Sequence, residues 1–117
     1  MSASDRLPLV PPAEYGDTWG MLEQVRLRSG MWVRERQLRD LQATLLGYGI
    51  ALEVHGIDEP FPFYPGGHFA AWLHERFGWG MSCGWAGAIE EISGTEDPLD
   101  LFFRLADEYR GHLPART

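Results

Sequence analysis

The sequence has one cysteine, no lysine and no long apolar run, and each shortage excludes something. Cys83 alone cannot close an internal disulfide, so the fold must rest on packing, which suits a reducing cytoplasm. It lies among small and aromatic residues between Met81 and Ala86, and that setting predicts a buried, inert thiol. No apolar stretch approaches the roughly 18 residues that a membrane span needs. The N-terminus has no basic patch followed by an apolar region, so no signal peptide is expected. All 10 basic residues are arginine, and 17 acids give a net charge of −7, which argues against a nucleic-acid partner.

What is present is enough for a core. Hydrophobic residues make up 44% of 117 residues and aromatics 13%, which rules out wholesale disorder and leaves room for one domain. Residues 1–14 carry Pro8, Pro11 and Pro12 and few large apolar groups. They are expected to form a flexible arm ahead of a single helical domain over 15–117. Acids and arginines balance in residues 1–50, so the whole negative surplus lies in residues 51–117. Such asymmetry bears on association and steering rather than on fold.

Periodicity and caps together predict about five helices. The first runs from about Asp17 to Arg28, capped by Asp17 or Thr18, with Trp19, Leu22 and Val25 on one side. Met31, Trp32 and Val33 then read as an extended connector that buries Trp32. The second helix, from about Glu35 to His55, spaces Leu38, Leu41, Leu45, Tyr48 and Leu52 by three and four, with Leu46 and Ile50 widening the stripe. Gly47 and Gly49 weaken it by about 1 kcal/mol each relative to alanine, which implies close approach of a neighbour. Helices over about 68–77 and 82–93 follow, with Ile92 on the inner face of the latter. A last helix starts at Asp97-Pro98. Gly56, Gly78, Gly94 and Gly111 are the expected stops, with Pro114 closing the last. The fold class is therefore all-α, a compact irregular bundle of about five helices.

Between the second and third helices, residues 58–67 hold three prolines with Phe61, Phe63 and Tyr64. The prolines forbid a regular helix, and the rings are too apolar for a solvated loop. They can either close over the core as a lid or meet a partner.

Catalytic and metal-binding signatures are missing. There is no phosphate loop, dinucleotide fingerprint, nucleophile elbow or paired-cysteine motif. Of His55, His68, His74 and His112, no two stand at the i, i+4 spacing that would present two ligands on one helix face. Glu90 and Glu91 are adjacent on a helix and so face about 100° apart, which does not make a carboxylate dyad. No cofactor, no metal and no enzymatic activity are expected.

The charge pattern is more informative. Glu90, Glu91, Glu96, Asp97 and Asp100 fall within eleven residues with no arginine among them. Helix capping and solubility account for Asp97 and Asp100. Glu90 and Glu91 occupy the C-terminal half of a helix, where the dipole disfavours anions, so capping does not explain them. A negative binding face is the alternative, with Trp79 or Tyr64 as an aromatic anchor.

The stretch from Met21 to Val33, then Leu38, Leu41 and Leu45–Tyr48, then Phe69, Trp72, Trp85 and Leu101–Tyr109, resembles small uncharacterised bacterial proteins, some of which look like the immunity partners encoded beside polymorphic toxins. Trp32 stands where tyrosine is expected and Ser29 where proline is. The resemblance implies a cytoplasmic inhibitor whose partner is a cognate, basic protein toxin met through the acidic face. The alternative is a non-catalytic structural or regulatory subunit, a homodimer among its forms, using an apolar face of the second helix or the 61–64 segment. Oligomeric state is left open by the residues.

Overall fold

A computed structural model describes residues 10–113. Among them are six α-helices and no strand, so the all-α expectation holds. They divide between Arg36 and Gln37 into two units. Glu35 and Arg36, just before the division, take left-handed backbone (φ 53° and 57°), which side-chain-bearing residues rarely adopt. The expected arm lies in part outside the described residues; its described part includes a 3-10 turn, Pro12–Glu14.

In the first unit, α1 (Thr18–Leu27) starts as expected, because the Asp17 carboxylate accepts from the Gly20 amide at 2.9 Å. The connector after it is not extended. Ser29–Trp32 forms a single turn, α2, closed by the Val33 amide donating to the Ser29 carbonyl. Trp32 is half-buried, its ring 6.2 Å from that of Tyr15.

The second unit holds α3 (Leu38–Val54), α4 (His68–Phe77), α5 (Gly84–Ser93) and α6 (Pro98–His112). α3 begins three residues later than the periodicity suggests. It ends in a Schellman turn: Gly56 takes φ 64°, and the Gly56 and Ile57 amides donate to the Glu53 and Leu52 carbonyls. α6 opens on Asp97, which accepts from the Leu99 amide at 2.8 Å, with Pro98 in its first turn. Gly111 does not stop it; the helix runs one residue further and Leu113 is its cap. The expected closure at Pro114 lies outside the described residues.

The core is aromatic. Trp85 of α5, Phe69 of α4, Phe102 of α6 and Phe63 of the proline-rich segment are all fully buried. Trp85 stacks on Phe102 at 4.9 Å and meets Phe69 edge-on at 5.7 Å. Its indole N–H donates to the Phe63 carbonyl at 2.9 Å, which ties the segment between α3 and α4 to α5. Two positions expected inside are outside: Ile50 on α3 and Ile92 on α5 are each 48% exposed. An apolar stripe at helical spacing is about 100° wide or more, and both residues sit beyond the arc that neighbours cover.

α5 has no side-chain cap of its own. The Ala86 amide, in its first turn, instead donates to Gln42 Oε1 of α3 at 2.9 Å. A free amide buried at a helix start costs about 1–3 kcal/mol. We therefore expect Gln42→Leu, which keeps the volume and removes the acceptor, to lower stability by about 1–2 kcal/mol. Urea unfolding would measure this; a midpoint equal to wild type would show that the contact carries nothing.

Candidate functional site

The residues singled out by charge all lie in the second unit, and the structure sorts them. Glu90, near the C-terminal end of α5, is half-buried and accepts from Arg39 Nε of α3 at 2.6 Å. The hydrogen bond and the charge of Glu90 push the Arg39 pKa further up. Glu96, in the turn before α6, accepts from Arg104 Nη1 and Nη2, at 2.5 and 3.2 Å. Asp97 is the cap of α6. Asp100 is exposed in its first turn, where the helix dipole favours an anion. Glu91 is exposed and, of the five, is the one with no ion pair or hydrogen bond among the described residues.

An acidic run without a cation in sequence is therefore interleaved with two arginines in space. Both arginines are well exposed, so these pairs add little to stability. Their effect is on the surface field, where the two guanidiniums offset part of the carboxylate charge.

Glu90 and Glu91 border an open cleft of about 340 Å³, also lined by Arg39, Ser82, Cys83 and Gly87. Cys83 is exposed there, not buried as its small and aromatic neighbours suggest. It occupies the position just before α5, on the outside of the helix start, while Gly84 and Trp85 turn inward. Gly87, one turn on, leaves room for it, since a Cβ at that position would stand 2.8 Å from the Cys83 Cβ.

The two proposed anchors are placed elsewhere. Trp79 is half-buried, stacked on Phe77 at 4.5 Å, and its carbonyl lies 2.9 Å from His74 Nδ1. It is one residue before Gly80, which lines the cleft. Tyr64 packs edge-on against Phe61 at 4.8 Å, and its hydroxyl donates to Glu53 of α3 at 2.9 Å. Partial burial, and then the Glu53 carboxylate, raise its pKa. Neither ring makes a hydrogen bond or ring contact with the five carboxylates. The 61–64 segment closes over α3: Phe63 is in the core, and Phe61 and Tyr64 press on Gly49.

Two side chains at the site, Arg39 and Arg104, escaped the sequence reading. For Arg39 the only signal was the proximity of α3 to α5, a tertiary fact, whereas Arg104 stands eight residues after Glu96, just outside the acidic run. Among the described residues, no three His, Cys, Asp or Glu side chains gather as a metal site. No helix among them is long and apolar enough to cross a membrane. Comparison with protein-family models, with curated proteins and with solved structures yields no match.

Proposed function

We propose that this chain is a protein-binding inhibitor of the immunity type, which neutralises a basic toxin through the acidic surface carried by α5 and the start of α6. The observation that carries the reading is Glu91. It is an exposed carboxylate on the border of an open cleft, with no ion pair or hydrogen bond among the described residues and a position on its helix that the dipole disfavours. A group that serves neither capping nor pairing is available to a ligand. Beside it, Glu90 is already matched to one guanidinium, and a partner's arginine or lysine would find similar chemistry. Toxic nucleases hold nucleic acid on cationic surfaces, and a negative patch competes for such a surface and speeds encounter.

The test uses the product of the gene adjacent to that of this chain, which the proposal requires to be basic, titrated calorimetrically at low and high salt. Glu91→Gln with Asp100→Asn spares the Asp97 cap and both ion pairs. We expect it to weaken binding by about tenfold or more and to flatten the salt dependence. Unchanged affinity for the double variant would refute the acidic-surface reading.

A further inference from the structure

A second surface stands out on α3, remote in sequence from the acidic run. Ala43, Gly47, Ile50 and Val54 recur at intervals of four, three and four, so they form one stripe along the helix. All four are exposed, Val54 by 73%. A Cβ added at Gly47 would meet nothing within 4 Å, so the middle of the stripe faces open space. Ile57, 55% exposed, follows directly after the Schellman turn. The stripe is small at its N-terminal end and branched at its C-terminal end, a shape that accepts another helix at close range.

The charge around it selects the occupant. Glu53 is exposed about 90° to one side of the stripe. Asp58 is exposed just past Ile57. No arginine or lysine occurs between Arg39 and Arg76, and Arg39 is engaged by Glu90. The Tyr48 and Tyr64 hydroxyls donate to Glu59 and Glu53. A second copy of this chain would set the same carboxylates against one another. We propose that the outer face of α3 is a docking surface for a cationic amphipathic helix of a partner protein, with apolar side chains on the Ala43–Val54 stripe and arginines or lysines toward Glu53 and Asp58.

The probe is a labelled synthetic helix of about 18 residues, matched to α3, with an alanine–leucine face flanked by arginine. A twin peptide carries glutamate flanks on the same face. Anisotropy with the full chain should show saturable binding of the arginine peptide and none of the glutamate twin. Ile50→Gln with Val54→Gln, both on exposed positions, should weaken binding by about tenfold or more. Glu53→Gln, which still accepts from Tyr64, should lower the affinity and its salt dependence, while Glu91→Gln should leave the affinity unchanged. Equal binding of the two peptides, or indifference to the Ile50 and Val54 changes, overturns the proposal. So does a loss of binding on Glu91→Gln alone, which would place the peptide on the α5 surface. A wild-type dimer in light scattering that becomes monomeric on Val54→Gln would make a second copy the occupant and also overturn it.

Discussion

Trp85→Ala is expected to remove most of the stability of the second unit, about 3–5 kcal/mol from the lost ring and the cavity it leaves. The ring is fully buried and in contact with Phe63, Phe69 and Phe102, so no single neighbour can collapse into its place. The change also strands the Phe63 carbonyl, which accepts the indole N–H. Trp85→Phe separates the two effects. It keeps much of the packing and loses the donor, for which we expect a loss of about 1–3 kcal/mol. Domains of this size have about 5–15 kcal/mol in hand, so the alanine form should be largely unfolded at modest urea and the phenylalanine form should not. Equal midpoints for Trp85→Phe and wild type would show that the Phe63 carbonyl is satisfied in some other way.

Gly49→Ala should be nearly as informative, because it adds a single methyl group. An ideal Cβ there would stand 2.5 Å from Phe61 Cε2 and 2.9 Å from Tyr64 Cε1. Both rings are held from behind: Phe61 by Tyr48 and Phe63, and Tyr64 by its bond to Glu53. The helix or the segment must therefore shift, at about 1–3 kcal/mol. Gly47→Ala, two residues away, meets nothing and should be neutral or stabilise by up to about 1 kcal/mol through helix propensity. Opposite signs at the two glycines in urea unfolding are the expected result. Stabilisation at both would mean that Phe61 and Tyr64 are not seated on α3.

The contrast shows how far local chemistry reads out from residue order. Elements bounded by strong caps were legible: His68–Phe77 with its left-handed Gly78, and α6 from its Asp97-Pro98 start. Close approach at Gly49 was legible as a cost that needed an explanation, but its twin at Gly47 carried the same signal and faces open space. Tyr48 fits the apolar spacing of α3, yet it is half-buried and turns its hydroxyl to Glu59, since a phenol needs a polar partner. Ile50 and Ile92 fit helical spacing equally well and lie outside, because periodicity gives the direction of a face and not the width of what covers it. At the candidate site, the carboxylates were visible in the sequence. The neutralisation of Glu90 was not, because Arg39 is 51 residues away and nothing local marks the pair.

The dependence of α5 on residues from other segments bears on the order in which the chain can assemble. Its first-turn amide is satisfied by Gln42, 44 residues earlier, and its indole by the carbonyl of Phe63, 22 residues earlier. During synthesis both acceptors leave the ribosome before the helix that needs them. A released chain that ends ahead of Gly84 has Phe63 and the inner face of α3 with no indole to cover them, and this exposed apolar surface makes it prone to aggregation.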